Sequence, residues 1–120
     1  MNEVWSSLKN ALKGLIYCFL TQRNMLIHGT IGILVLITGF LLKVEMTEML
    51  FLLTAVLIVL VAEVFNTAIE KTIDLYTVEK NDLARTAKDA AAGAVLLTSL
   101  YAVMVGLIIL GPPLWRIIIR

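Results

Sequence analysis

A run of polar side chains interrupts an apolar sequence between residues 63 and 74. In a helix each residue is rotated about 100° from the one before it, because one turn takes about 3.6 residues. Polar residues then share one stripe about 100° wide: Glu63, Asn66, Thr67, Glu70 and Asp74. A carboxylate at the membrane centre costs at least about 2.5 kcal/mol, so such a stripe indicates function. Two carboxylates with an amide between them fit metal-assisted phosphate chemistry, because Mg²⁺ prefers a few carboxylates plus phosphate oxygens.

A second polar pair, Lys88 and Asp89, precedes a run of alanines and one glycine at 90–94. A lysine at this place can neutralise phosphate, and an aspartate can orient it or share a metal ion. The small residues permit close approach of another helix. Two structural interpretations remain open. The acids of the stripe could pair with Lys71 or Lys88 and only fix the bundle, or Lys88 and Asp89 could form an interfacial pair.

Other common sites are absent from the sequence. It has no Walker lysine loop, no glycine-rich nucleotide cradle and no Ser-His-Asp set. His28 and Cys18 are the single histidine and cysteine, so we expect no internal disulfide, and we expect His28 to be hydrogen-bonded in the bundle or at its rim. The net charge of +1 without a basic stripe argues against a nucleic-acid partner.

The composition predicts the elements that must position these residues. Hydrophobic residues make up 60% of the 120 positions and charged residues 16%, which is more apolar surface than a small soluble domain can bury. We therefore predict an all-α membrane protein with a single domain. Its expected parts are an amphipathic interfacial helix over 3–20 and membrane spans over 25–42, 49–74 (with a cytoplasmic extension) and 87–110. A loop is expected at 77–82, and Gly111-Pro112-Pro113 is predicted to end the third span.

Basic residues predict the orientation. They cluster between the second and third spans, at Lys71, Lys80, Arg85 and Lys88, whereas the first loop has only Lys43. The positive-inside rule therefore places the N-terminus and the polar stripe on the cytoplasmic side and the C-terminus outside. Trp115, Arg116 and Arg120 are predicted to form an interfacial anchor on the outer side, although two arginines there run against the rule.

Two segments resemble the signatures of one family, the prokaryotic diacylglycerol kinases and undecaprenol kinases. Residues 63–70, Glu-Val-Phe-Asn-Thr-Ala-Ile-Glu, with Asp74 after them, resemble the first signature. Residues 87–95, Ala-Lys-Asp-Ala-Ala-Ala-Gly-Ala-Val, resemble the second. Their order and the three-span layout also agree, so the resemblance covers nearly the whole chain. It implies a homotrimer in the bacterial inner membrane that transfers the γ-phosphate of ATP, with Mg²⁺, to the hydroxyl of a membrane lipid.

The resemblance also implies roles for single residues. It makes Glu63 the general base for the lipid hydroxyl and Glu70 a metal ligand. The nucleotide and phosphate site would be lined by Asn66, Glu70, Lys88 and Asp89, with Asp74 near it. The family usually has a second metal-binding glutamate where this chain has Gln22. An amide oxygen coordinates Mg²⁺ without contributing charge, so weaker metal binding is expected.

The acceptor lipid is predicted from finer features of the same segments. Arg23, Asn24 and His28, with the run at 87–95, are closer to the Gram-positive branch of the family, which phosphorylates undecaprenol. Undecaprenol is therefore the expected acceptor, and diacylglycerol, preferred by the proteobacterial branch, is the alternative. Two other classes stay open. One is a small proton-coupled multidrug-type transporter, although those have four spans and usually one membrane glutamate. The other is a catalytically silent membrane trimer, which only Gln22 supports.

Overall fold

The chain forms four helices in a computed structural model that describes residues 2–119. The helices are α1 (Asn2–Thr21), α2 (Arg23–Leu41), α3 (Met46–Tyr76) and α4 (Asp82–Ile118), and these residues include no strand. Three of them, α2, α3 and α4, are long and apolar enough to cross a membrane. The predicted all-α fold with three spans is thus confirmed. Arg120, part of the predicted anchor, lies outside the described residues.

Helix α3 is the centre of the bundle. It packs most extensively against α4 and next against α2, while α1 makes smaller contacts with α2 and α3. A core cluster that includes Leu52, Ala55 and Ile109 joins α3 to α4. Cys18 is the one described residue of α1 that is buried, so this helix is attached near its C-terminal end and exposes the rest of its surface. That exposed surface is compatible with the predicted interfacial position of α1.

Glycines bring α2 against its neighbours. A Cβ atom at Gly32 would lie 2.5 Å from Val56 Cγ1 on α3, and one at Gly29 would lie 2.8 Å from Phe19 Cε1 on α1. Both distances are shorter than packed carbon atoms allow, so a larger residue at either position would displace the neighbouring side chain. Gly93, in the small-residue run of α4, meets no other atom within 4 Å in the described chain. Ala91 of the same run is buried, so the run packs through Ala91, and Gly93 itself makes no close approach within residues 2–119.

Both ends of α4 differ from the predicted bounds. The helix begins at Asp82, five residues before the predicted start, because the Asn81 side chain accepts a hydrogen bond from the Ala84 N–H at 3.0 Å. The predicted end at Gly111-Pro112-Pro113 is wrong, since α4 continues to Ile118. Each proline removes one N–H donor, but its fixed φ is compatible with a helix, and membrane helices tolerate the lost bonds.

Candidate functional site

The polar stripe of α3 runs from the protein interior to the helix end. Glu63 is 2% exposed and Thr67 is 4% exposed, Asn66 and Glu70 are half-buried, and the Asp74 side chain is 46% exposed. The stripe is therefore most buried around Glu63 and Thr67 and becomes exposed toward the α3–α4 connection. It runs from a buried position within a candidate membrane span to a partly exposed helix end.

Glu63 lies beside His28 of α2. His28 Nε2 is 3.3 Å from Glu63 Oε1, and the Thr67 hydroxyl donates to the Glu63 backbone carbonyl at 2.9 Å. Apart from this close contact, Glu63 Oε1 has no hydrogen-bond donor among the described residues. Glu63 is almost fully enclosed, so its carboxylate is shielded from bulk water.

His28 is the site residue that the sequence analysis left unassigned. Its expected position, hydrogen-bonded in the bundle or at its rim, agrees with a side chain that is 27% exposed and in contact with an acid. The sequence did contain a signal for this residue, because His28 is a lone ionisable residue within an apolar span. Ionisable residues inside membranes usually pair with one another, so a partner for His28 could be expected. The sequence could not identify Glu63 as its partner, because that pairing depends on how α2 packs against α3.

Asn66 and Glu70, about one and two helical turns along α3 from Glu63, are joined by a hydrogen bond. The Asn66 amide nitrogen donates to Glu70 Oε1 at 3.2 Å, while Asn66 Oδ1 is buried and has no donor among residues 2–119. No group of three or more His, Cys, Asp or Glu side chains that could hold a metal ion occurs in the described chain. Mg²⁺ often takes only one or two carboxylates together with phosphate oxygens and water, so a site for it needs no such group.

Lys88 extends the polar stripe across to α4. Its Nζ lies 2.6 Å from Asp74 Oδ1, and both side chains are partly exposed. Lys88 therefore pairs with the outermost acid of the stripe and leaves Glu63 and Glu70 without a lysine partner in the described chain. The structural interpretation in which Lys88 neutralises the deep acids does not agree with this arrangement.

Two predicted site residues are not brought to this cluster. Asp89 is 75% exposed, and its Oδ2 lies 4.0 Å from Arg85 Nε on the same helix. Gln22 lies at the junction of α1 and α2, where its amide nitrogen donates to the Thr21 hydroxyl at 3.1 Å. Within residues 2–119, no hydrogen bond joins Gln22 to Glu70. One chain therefore collects Glu63, His28, Asn66, Glu70 and the Asp74–Lys88 pair.

Comparison with known proteins identifies the family of this chain. Residues 9–110, which include the polar stripe and the second signature, match the family model described as prokaryotic diacylglycerol kinase. The chain belongs to this family. The predicted resemblance is thereby confirmed.

Relatives in the family carry two different names. The chain is 40% identical over 114 residues to a diacylglycerol kinase of Synechocystis sp. and 36% identical over 114 residues to the undecaprenol kinase of Bacillus subtilis. It is 29% identical over 98 residues to the diacylglycerol kinase of Escherichia coli. These matches cover 94%, 95% and 82% of this chain, respectively. The chain spans 65% of the length of the Synechocystis relative, 93% of the B. subtilis relative and 80% of the E. coli relative.

Proposed function

We propose that this protein is an ATP-dependent lipid kinase whose acceptor is undecaprenol. The observation that carries the proposal is Glu63, an acid that is 2% exposed inside a membrane span and begins a polar stripe leading to the partly exposed Lys88. A lipid hydroxyl approaches from the membrane and a phosphate donor from water. Glu63 would face the first and Lys88 the second. Support also comes from the family and from the B. subtilis relative of similar length.

In the proposed reaction, the lipid hydroxyl oxygen attacks the γ-phosphorus of ATP. A bond forms between that oxygen and phosphorus, the bond to the β,γ-bridging oxygen breaks, and ADP leaves. Glu63 takes the hydroxyl proton as general base, which typically accelerates a reaction about 10²–10⁴-fold. His28, 3.3 Å away, holds the carboxylate in place.

The cytoplasmic half of the stripe would bind the nucleotide. Lys88 is a partly exposed cation that neutralises phosphate charge, and Asp74 holds its ammonium group at 2.6 Å until phosphate replaces it. Asn66 fixes the Glu70 carboxylate and contributes its own amide to the phosphate site. Asp89 would complete that site.

Glu70 is the proposed ligand of a magnesium ion that arrives with ATP. One carboxylate fits such an ion, because Mg²⁺ keeps waters and phosphate oxygens as its remaining ligands. The ion, when bound, neutralises charge that develops on the phosphoryl group. Gln22 would be a second, uncharged ligand in place of the usual glutamate of the family.

We further propose that the protein works as a homotrimer in the bacterial inner membrane, with the stripe on the cytoplasmic side. Asp89 is exposed and lies beside Arg85 on its own helix, and Asn66 Oδ1 is buried without a donor among residues 2–119. Both groups would find partners if a neighbouring subunit completed the site. Polar groups between membrane helices support such association.

Phosphorylation of lipid in detergent micelles tests the function. Purified protein, γ-labelled ATP and Mg²⁺ would be incubated with undecaprenol, with diacylglycerol or with no added lipid, and the lipid extract would be counted. We expect the label in undecaprenyl phosphate, several-fold above the diacylglycerol reaction. Preference for diacylglycerol would favour the second candidate, which the Synechocystis relative supports. Absence of labelled lipid would refute the kinase assignment and return the transporter and the silent trimer to consideration.

A further inference from the structure

A cleft lies where α2 is connected to α3, at the opposite end of the bundle from Asp74 and Lys88. Its volume is about 520 Å³, within the range of about 300–1,000 Å³ that small-molecule sites occupy. Five apolar side chains and one cation line this α2–α3 cleft: Phe40, Leu41, Val44, Met46, Met49 and Lys43. The acids of the same connection, Glu45 and Glu48, are not among them. The cleft is therefore an apolar surface with a single positive charge.

The length of α3 places the α2–α3 cleft at a membrane surface. Asp74, at the exposed end of the polar stripe, and Met46, in the cleft, are 28 positions apart on this helix. At about 1.5 Å per residue that separation is about 42 Å. A hydrocarbon core is about 30 Å thick, and a bilayer with its headgroups is about 40–45 Å thick. With Asp74 at one membrane surface, the cleft lies at the level of the headgroups of the other leaflet.

Lys43 has a backbone conformation that is unusual for lysine. Its φ is 54°, and no other non-glycine residue within 2–119 has a positive φ. The Lys43 N–H donates to the Phe40 carbonyl at 3.1 Å, and the Val44 N–H donates to the Gly39 carbonyl at 3.2 Å. This pair of hydrogen bonds defines a Schellman motif at the end of α2, in which the position of Lys43 is usually glycine. Residues held in such conformations cluster at functional sites, so the lysine side chain needs an explanation beyond ending the helix.

No acid neutralises Lys43 within the part of the chain that the structure describes. None of the ion pairs among residues 2–119 includes it. The two acids nearest in sequence are engaged at the start of α3. The Glu45 side chain accepts a hydrogen bond from the Glu48 N–H, and the Glu48 carboxylate accepts one from the Glu45 N–H at 3.0 Å. This capping box holds both carboxylates at the helix end and leaves the ammonium group of Lys43 to meet an external anion.

We propose that the α2–α3 cleft binds a phospholipid with an anionic headgroup. Lys43 pairs with the headgroup phosphate, and the apolar lining holds the first part of one acyl chain. The ligand is a phospholipid and not a soluble phosphate, because Phe40, Leu41 and Met46 are largely exposed beside the cation and need an apolar partner. The site is separate from the polar stripe, and its existence does not depend on the proposed kinase function.

A tryptophan below the cleft would report which lipid occupies it. Leu53 follows Met46 by seven residues and Met49 by four, so the three share one face of α3. Leu53 is 38% exposed and lies about 10 Å deeper in the membrane than Met46, beside the acyl chain of a bound lipid. Leu53→Trp would be introduced into a chain whose two natural tryptophans are replaced by phenylalanine. Quenching is then compared between brominated phosphatidylglycerol and brominated phosphatidylcholine with the same acyl chains, each diluted into vesicles of phosphatidylcholine.

Three variants, each carrying the reporter, isolate the cation of the cleft. Lys43→Gly removes the charge and suits the backbone conformation, whereas Lys43→Arg keeps the charge. The matched control combines Lys43→Gly with Thr47→Lys. This pair moves the cation to an exposed residue in the first turn of α3 that does not line the cleft, so the net charge of the protein is unchanged.

We expect the reporter to show phosphatidylglycerol bound about fivefold more tightly than phosphatidylcholine, because one lysine near a membrane surface contributes about that factor. The preference should remain in Lys43→Arg and fall to about onefold in Lys43→Gly and in the matched control. In neutral micelles without phospholipid, Lys43→Gly should unfold at a higher SDS concentration than the unmodified protein. The reason is that relief of the left-handed conformation exceeds the entropy that glycine adds to the unfolded chain.

Four results would overturn the proposal. The first is an unmodified protein that shows no preference for phosphatidylglycerol, and the second is a preference that survives Lys43→Gly. The third is a preference that the control with Thr47→Lys retains, which would mean that any cation at this surface is sufficient. The fourth is a lower SDS midpoint for Lys43→Gly in neutral micelles, which would mean that Lys43 serves the stability of the helix end and not the binding of a lipid.

Discussion

Replacing His28 by alanine should destabilise the bundle through Glu63. His28 Nε2 lies 3.3 Å from Glu63 Oε1, and Glu63 is 2% exposed, so water does not reach it to replace the lost partner. A hydrogen bond to a charged group contributes about 1.5–3 kcal/mol, and breaking a buried pair by removing one partner costs about 3–5 kcal/mol. Because His28 is itself 27% exposed, we expect the lower end of that range, about 3 kcal/mol of unfolding free energy.

A double-mutant cycle separates this pair from general packing. In the Glu63→Gln background the carboxylate charge is absent, so His28→Ala should cost only about 1 kcal/mol, the value of a neutral hydrogen bond. The coupling energy is then about 2 kcal/mol. Reversible unfolding by SDS in mixed micelles measures all four proteins. Thr30→Val is the control on the same helix, because the exposed Thr30 hydroxyl bonds only the Leu26 carbonyl. A coupling energy below about 0.5 kcal/mol would refute the pairing.

Three further predictions concern the metal ion, the trimer and the packing of α2. Gln22→Glu should lower the Mg²⁺ concentration for half-maximal rate about tenfold, because one added interaction of about 1.4 kcal/mol has that effect, and superimposable titration curves would contradict the metal role. Trimers mixed from Glu63→Gln and Asp89→Asn subunits should recover part of the activity that each parent lacks, and mixtures as inactive as the parents would remove support for shared sites. Gly32→Val should lower the unfolding free energy in SDS titrations by about 1–3 kcal/mol, since a Cβ there would lie 2.5 Å from Val56 Cγ1; an unchanged midpoint would contradict this packing.

Features that depend on local periodicity were predictable from the sequence. The stripe of Glu63, Asn66 and Glu70 follows from helical geometry alone, and α3 presents it as one face with burial decreasing toward Asp74. The three spans follow from composition, because an apolar helix of this length has no other stable environment. The error at Pro112 has a physical cause as well: a rule for helix ends in water was applied within a membrane helix, where lost backbone bonds are tolerated.

Contacts between helices were not predictable in the same way. The pairing of His28 with Glu63 and of Lys88 with Asp74 depends on the register of α2 and α4 against α3. No periodicity within one helix determines that register. The exposure of Asp89 also follows from the register of α4. Asp89 follows Lys88 by one residue and is therefore rotated by about 100° around the helix axis, so when Lys88 faces Asp74 the two side chains cannot face the same neighbour.

The most direct test of the proposed mechanism compares the unmodified protein with Glu63→Gln in one labelling experiment. Both proteins, at equal concentration and with ATP binding verified separately, receive γ-labelled ATP, Mg²⁺ and undecaprenol in detergent micelles. Glutamine keeps the size of the side chain and its hydrogen-bonding capacity near His28 but cannot accept the proton. We predict labelled undecaprenyl phosphate from the unmodified protein and a rate about 10²–10⁴-fold lower from Glu63→Gln, with ATP binding retained. A variant that keeps more than half of the activity would contradict the assignment of Glu63 as the general base.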